Sequence, residues 1–196
     1  MIYRQLPNGE SQYFVYDTEN QLAKAEIKKN SGNTEIWEYA YDPFGRRLSK
    51  ERKDKLAWTS TEPKRIHFVW DGTKLLQEYT YKGNYTYIYT DQNSYEPLAQ
   101  VFYNSKDEQQ YLAYFHNDQI GIPKEMTDQF GNLVWYGEYT AWGKLYKDER
   151  VYRDVHQPFR LQNQYCDEET GLHYNLMRYY EPDSGRFINQ DPISLE

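Results

Sequence analysis

Aromatic residues alternate with other residues along this chain, and this period of two restricts the segments that carry it to β-strands. Trp37, Tyr39 and Tyr41 share one face of such a segment. The alternation occurs in four segments, 36–41, 66–70, 85–90 and 133–140. Aromatic and β-branched side chains also suit a pleated surface. The best helical candidate, segment 154–164, contains Pro158, which opposes a helix interior. The sequence therefore predicts an all-β fold with little helix.

Turn signals separate these strands. Most consist of an aromatic residue, an Asp, two spacer residues and then a Gly or Asn. The Asp carboxylate accepts hydrogen bonds from backbone N–H groups and opens the turn, and the Gly or Asn adopts the left-handed conformation that closes a short hairpin. The positions predicted to be left-handed are Asn20, Gly45, Gly72, Gly131, Gly143 and Gly185. We expect an antiparallel sheet of successive hairpins, whose neighbours stack to bury their aromatic faces.

The aromatic content also indicates an ordered protein, although the mean hydropathy is −1.06. The chain contains 22 tyrosines, 8 phenylalanines and 5 tryptophans. A buried aromatic ring removes on the order of 150–250 Å² from water, which at about 25 cal/mol per Å² corresponds to several kcal/mol as an upper estimate. The net charge of −7 argues against a nucleic-acid partner, because such binding depends on Lys and Arg.

Several site classes are not predicted. The single cysteine, Cys166, excludes an internal disulfide and a cysteine-based zinc site, and we interpret it as a small buried residue. The histidines show no metal-ligand spacing and no Gly-rich phosphate loop is present, so neither a metal nor a cofactor is predicted. No apolar run approaches the roughly 20 residues of a membrane span. No signal peptide is visible at the N-terminus.

Three features allow two interpretations each. The acidic run 167–169 is interpreted as a solvated turn, and it could form an acid/base pair only if it faced Asp191. His116 and the two residues after it weakly resemble a nuclease centre. The tyrosine rows could line a sugar-binding surface or hold the sheet together, and their presence on nearly every strand favours the second interpretation.

The residues also resemble a known family. Tyr16-Asp17 and Tyr41-Asp42 resemble the YD repeats of the Rhs (rearrangement hot spot) family. Four segments of the second half resemble motifs of the Rhs-associated core: 115–128, 139–144, 157–175 and 178–193. The resemblance covers the whole chain and is strongest from about residue 114 to residue 195. We therefore expect YD-repeat hairpins over residues 1–110 and a core segment over residues 111–196.

The resemblance implies a fold and a site. Rhs proteins build a β-sheet that spirals into a hollow shell around a C-terminal toxin, which an aspartyl autoprotease cuts free. Asp191, in the sequence Asp191-Pro192-Ile193-Ser194-Leu195, matches the first of the two family aspartates, and the second lies in a downstream motif that this sequence does not contain. An aspartyl site needs two carboxylates that share a proton. We therefore expect that the chain as given is not an enzyme and does not cleave itself.

The resulting hypothesis is structural. The chain would form a curved segment of a toxin-encapsulating shell used in bacterial antagonism, secreted or delivered by a secretion system. Its expected partners are the C-terminal toxin domain, the remaining shell segments of the same or a split polypeptide, and a secretion-system spike or adaptor. We expect two exposed edge strands and an exposed aromatic face on the isolated chain, and both predict self-association. A free-standing carbohydrate- or cell-surface-binding aromatic module is the alternative, and a stand-alone hydrolase is a third hypothesis.

Overall fold

Two antiparallel β-sheets account for nearly all regular structure in the computed structural model, which describes residues 1–152 and 155–190. The larger sheet has thirteen strands in sequence order: β1 (Tyr3–Gln5), β2 (Ser11–Tyr16), β3 (Leu22–Lys28), β4 (Thr34–Tyr41), β5 (Arg47–Arg52), β6 (Arg65–Asp71), β7 (Lys74–Thr80), β8 (Gly83–Tyr89), β9 (Pro97–Asn104), β10 (Gln109–Asn117), β11 (Pro123–Asp128), β12 (Leu133–Tyr139) and β13 (Leu145–Arg150). The smaller sheet has four strands: β14 (Tyr165–Asp167), β15 (Leu172–Asn175), β16 (Arg178–Glu181) and β17 (Arg186–Phe187).

The predicted all-β class is confirmed. In the described part of the chain, the helical structure is one turn, α1 (Lys55–Trp58), between β5 and β6. Segment 154–164 is not helical over its described residues. No helix among the described residues combines the length and apolarity that crossing a bilayer requires. The predicted division between residues 110 and 111 falls inside β10 and stays a prediction.

The period of two places one aromatic face on the larger sheet. On β4, Trp37 and Tyr39 are buried while Glu38 and Ala40 are exposed. Segments 66–70 and 85–90 follow the same rule, with buried members at Phe68, Tyr85 and Tyr87. In segment 133–140 Trp135 is buried as predicted, but Leu133 on the same predicted face is 45% exposed and Val134 on the opposite face is 7% exposed. In the first three of the four segments, the alternation predicted from the sequence is therefore the alternation between the two faces of this sheet.

The turns have the predicted chemistry. In the β4–β5 turn, Asp42 Oδ1 accepts hydrogen bonds from the backbone N–H groups of Phe44 and Arg46, both at 2.9 Å. Every predicted left-handed position has a positive φ: Asn20 (62°), Gly45 (79°), Gly72 (57°), Gly131 (84°), Gly143 (80°) and Gly185 (68°). Strand ends were therefore predictable where a turn needs this combination of acceptor and left-handed residue.

The larger sheet is strongly curved. Arg4 on β1 donates a hydrogen bond to Glu181 at 2.8 Å, and the carbonyl of Trp142, in the β12–β13 turn, accepts one from the neighbouring Tyr180 at 2.9 Å. In a flat sheet β1 and β12 would be about 50 Å apart at about 4.8 Å per strand. Two side chains on adjacent residues cannot span that distance, so the sheet curls around the smaller one. Its edge strands β1 and β13 do not pair with each other, and the sheet stays open.

Residues 155–190, which we call the inner segment, lie against the aromatic face of the larger sheet. This segment contacts turns that connect an even-numbered strand to the next odd-numbered strand. Because the sheet is antiparallel and its strands follow sequence order, these turns all lie at the same end of the sheet. Tyr174 Oη donates to the Gly45 carbonyl at 3.2 Å, and Asn189 Nδ2 donates to the Asn20 carbonyl at 3.1 Å. We expected the aromatic face of the isolated chain to be exposed; instead, the inner segment covers much of it.

Candidate functional site

Four charged residues meet at the interface between the larger sheet and the inner segment. Arg47 Nη1 lies 2.5 Å from Asp167 Oδ2. Lys50 Nζ lies 2.9 Å from Asp167 Oδ1 and 2.9 Å from Glu169 Oε2. The larger sheet supplies both cations through β5, and the inner segment supplies both carboxylates. We call Arg47, Lys50, Asp167 and Glu169 the ion cluster.

The prediction that residues 167–169 form a solvated turn is wrong for two of the three. The side chains of Asp167 and Glu169 are 0% and 4% exposed, whereas that of Glu168 is 71% exposed. Asp167 ends β14, where it lies two residues from the buried Tyr165 and therefore on the same face. The two cations on β5 supply the counter-charge that makes burial of these carboxylates tolerable.

Arg47 also lies within a group of aromatic rings. Its guanidinium carbon is 4.4 Å from the ring centroid of Tyr174, 4.5 Å from that of Phe68 and 5.2 Å from that of Tyr165. Nε and Nη2 have no hydrogen-bond partner among the described residues, so the rings provide their surroundings. Burial alone lowers the pKa of Arg47, but Asp167 outweighs it and holds the pKa well above its usual value, so the side chain stays charged.

A second polar group links β7 to the inner segment. Glu78 is fully buried and accepts hydrogen bonds from the hydroxyls of Tyr87 and Tyr165, the latter at 2.8 Å. His156 Nε2 lies 3.2 Å from the same carboxylate. Burial raises the pKa of Glu78, but His156 and these hydrogen bonds outweigh burial and lower it, so the group is ionised.

A third polar link joins β1 and β2 to the inner segment. Arg4 pairs with Glu181 at 2.8 Å, and Gln12 Nε2 donates to the Thr170 carbonyl at 3.2 Å. Polar links thus occur on β1, β2, β5 and β7. They define one orientation of the inner segment, because a shift of register would leave buried charges unpaired.

The ion cluster does not provide two free carboxylates for acid/base chemistry. Asp167 and Glu169 share Lys50, and both lie where solvent hardly reaches them. The described residues contain no group of three His, Cys, Asp or Glu side chains arranged to hold a metal ion. The arrangement can hold two sheets together, and we assign it that role.

The pKa directions predict how stability varies with pH. The pKa values of Asp167, Glu78 and Glu181 are all lowered by ion pairs and hydrogen bonds despite burial. Such groups stabilise the fold above their unfolded pKa, about 4, and that stability is lost as pH falls through the folded pKa. Burial raises the pKa of Glu169, which therefore acts in the opposite sense. With three groups against one, we expect the free energy of unfolding to fall steeply below pH about 4.

Urea unfolding monitored by tryptophan fluorescence between pH 7 and pH 3 measures this dependence. The Asp167→Asn variant should lose less stability over that range, because it lacks the most strongly paired carboxylate. A wild-type stability that stays constant down to pH 3 would contradict the assignment.

The remaining sequence candidates have the following positions. Asp191 lies outside the described residues. His116 is exposed and lies 2.9 Å from Thr127 Oγ1, Asn117 donates to the Pro97 carbonyl at 2.7 Å, and Asp118 opens the β10–β11 turn. Because these three residues have roles in the hairpin, the structure gives the nuclease interpretation no support. Cys166 is partly buried, and burial raises the pKa of its thiol.

The tyrosine rows hold the two sheets together. Tyr87 is 2% exposed, and its ring centroid is 4.7 Å from that of Phe159 in the inner segment. Tyr39 and Tyr41 pack in the same way against the inner-segment residues Tyr179 and Tyr174. These rings are therefore not available as a sugar-binding surface, and the interpretation as a packing ladder is the correct one for them.

Sequence comparison places this fold in a family. The model of the family described as "RHS protein" matches residues 112–149. The double-stranded DNA deaminase toxin A of Burkholderia cenocepacia is 37% identical over 201 residues, which cover 95% of this chain and 14% of that protein. The chain belongs to the Rhs family.

Other relatives of this Rhs chain extend the comparison. Toxin protein Tse5 of Pseudomonas aeruginosa is 27% identical over 96% of the chain and 16% of its own length. The structure of a Photorhabdus luminescens Tc holotoxin pore shares its fold, with a TM-score of 0.72 and 20% identity over 93% of this chain and 9% of that one. The Rhs chain thus spans about one-seventh of the length of these two curated relatives, and it has the curved, shell-like sheet of a bacterial toxin family.

Proposed function

We propose that this Rhs chain is a wall segment of a toxin-encapsulating shell, and that its inner segment closes one end of that shell. The observation that carries the proposal is the contact of Arg4 and of Trp142, near opposite edges of the larger sheet, with the adjacent inner residues Glu181 and Tyr180. A sheet curled around its own inner segment separates an interior from an exterior. The toxin names of its much longer relatives support a cargo for that interior.

Protection of a cargo tests this proposal. The sample is a complete Rhs protein that contains this segment and its C-terminal domain, treated with a nonspecific protease. We expect the C-terminal domain to resist digestion in the wild type and to be digested when Asp167→Asn loosens the inner segment. Asp183→Asn is the matched control, because Asp183 makes an ion pair with Lys144 in which both side chains are 48% exposed. Digestion of the wild-type domain as fast as that of the isolated domain would contradict enclosure.

We further propose that Asp191 supplies one of the two carboxylates of an autoprotease in the complete protein. The support is the family motif at residues 191–195, which directly follows the last described residues. Asn189, one of the last described residues, donates a hydrogen bond to the Asn20 carbonyl and so anchors this end of the inner segment to the larger sheet. A second carboxylate would have to come from outside this sequence, since paired aspartates divide the acid and base roles.

A denaturing gel tests the role of Asp191. With the downstream segment present, the wild type should appear as two fragments and Asp191→Asn as a single full-length band, because the amide cannot act as an acid or base. The Asp183→Asn variant loses an exposed carboxylate that is close to Asp191 in the sequence, and it should be cleaved like the wild type. Two fragments of equal yield in Asp191→Asn would remove this residue from the mechanism.

The proposed partners are the C-terminal toxin domain, further shell segments and a delivery-system spike or adaptor, and the proposed location is outside the producing cell after delivery. The edge strands β1 and β13 each pair on one side only, so further strands can be added there. We expect the isolated chain to self-associate through these edges. Sedimentation velocity measures this, and a monomer at all concentrations up to about 100 µM, far above a typical interface Kd, would contradict it.

A further inference from the structure

A cavity of about 870 Å³ separates part of the inner segment from the larger sheet. Seven Lys or Arg residues and four Glu residues line it. The lining is therefore cationic within a chain whose net charge is −7. Most of these cations have carboxylate partners; Lys50, for example, belongs to the ion cluster and Arg65 pairs with Glu51.

Arg160 is the exception on the inner-segment side of this cavity. The residue is 5% exposed. Its Nη1 donates to the carbonyls of Gln157 and Phe159 at 3.1 and 2.7 Å and to Gln157 Oε1 at 2.9 Å. Among the described residues no carboxylate lies within 4.0 Å of its guanidinium. A buried cation satisfied only by neutral acceptors is costly unless an anion joins it.

The geometry of the remaining donors is that of an anion site. Nε of Arg160 has no hydrogen-bond partner, and no bond from Nη2 to a described residue is formed. These two nitrogens make up one edge of the guanidinium, which matches the two oxygens of a carboxylate or phosphate. Gln157 adds a third donor: its Nε2 is buried and lies close enough to Tyr139 for the contact to offset part of the rise that burial causes in the pKa of that hydroxyl, but it makes no hydrogen bond of full geometry, and its Oε1 is bound to Arg160.

The described neighbours of Arg160 place no carboxylate in contact with its guanidinium. Burial raises the pKa of Tyr139 to about 12, and burial together with Arg160 lowers that of His173 to about 3. Both side chains are therefore neutral near pH 7. Asp148 is close enough for the charge of Arg160 to help lower its pKa, but its carboxylate is bound to Arg150 and to Trp135 Nε1 at 2.9 and 2.7 Å.

We propose that Arg160 and Gln157 form an oxyanion-binding site inside this cavity, for one carboxylate or phosphate group held by the Nε–Nη2 edge. This site goes beyond the role of the chain as a wall, because it gives the interior a defined point of chemical recognition. A side-chain carboxylate of an enclosed polypeptide and free inorganic phosphate share the required chemistry.

Arginine side-chain NMR of the 196-residue chain tests the proposal. The Nε–Hε resonance of Arg160 is identified by its loss in Arg160→Lys, and the wild type is titrated with inorganic phosphate and separately with acetate at constant ionic strength. We expect a saturable shift of this resonance. Saturation by acetate at lower concentration would indicate a side-chain carboxylate as the natural occupant, and saturation by phosphate first would indicate a free anion.

Two variants make the test specific. Gln157→Glu places a carboxylate beside Arg160 and should abolish the saturable shift, and it serves for assignment if Arg160→Lys does not fold. Arg65→Lys is the matched control at the same cavity, because Arg65 already has its carboxylate partner, and it should leave the response unchanged. An Arg160 resonance that does not move, or that moves linearly in parallel with that of Arg65, would overturn the proposal.

Discussion

Replacing Asp167 by asparagine should lower the free energy of unfolding by about 3–5 kcal/mol, since the change leaves Arg47 and Lys50 buried beside a neutral group. The side chains of Arg47 and Asp167 are 0% exposed and that of Lys50 is 4% exposed, so water cannot take over the lost interaction. Whole domains are stable by only about 5–15 kcal/mol. The substitution should therefore remove a large share of the total.

Urea denaturation measures this effect, with Asp183→Asn as the matched control. The Asp183–Lys144 pair has a similar contact distance, 2.5 Å, but lies at the surface. Its loss should cost at most about 1 kcal/mol. Equal midpoints for the two variants would show that the ion cluster does not hold the sheets together.

Replacing Gly83 by alanine should be as disruptive, for a backbone reason. Gly83 begins β8 with φ +143°, and a Cβ atom there would lie 1.8 Å from the carbonyl oxygen of Tyr103 on β9. A contact that short forces β8 and β9 apart at a point where Gly83 pairs with Asn104. We expect a loss of about 3 kcal/mol or more.

Gly72→Ala is the control for this prediction. Gly72 also has a positive φ, +57°, but a Cβ atom there meets nothing within 4 Å. The free energy of unfolding that Gly72→Ala loses should therefore be limited to the strain of a left-handed alanine, about 1–2 kcal/mol. Thermal unfolding of the two variants compares steric overlap with strain alone, and a smaller loss at Gly83 than at Gly72 would contradict the predicted overlap.

The strands and turns of the larger sheet could be predicted because their causes are local. Alternation over six residues identifies β4, and the Asp42–Gly45 spacing identifies the turn after it. The curvature was expected from the family resemblance, because no local pattern encodes it. Local patterns therefore defined the hairpins but not the shape that the thirteen strands form together.

The ion cluster could not be predicted in the same way. Arg47 and Asp167 are 120 residues apart in the chain, and an acidic run next to a glycine has the composition of a solvated turn. One signal was available, namely cations on a strand that pairs with the aromatic strand β4. Arg47 and Lys50 occupy such a strand, and their counter-charges had to come from elsewhere in the fold.

The inner segment contacts strands that are made long before it. Glu181 follows its partner Arg4 by 177 residues, which at roughly 5–20 residues per second corresponds to roughly 10–35 seconds of translation. During that interval the aromatic face and its cations have none of their final contacts with the inner segment. The nascent chain therefore passes through a stage at which a chaperone, or a premature encounter with another chain, competes with its own inner segment.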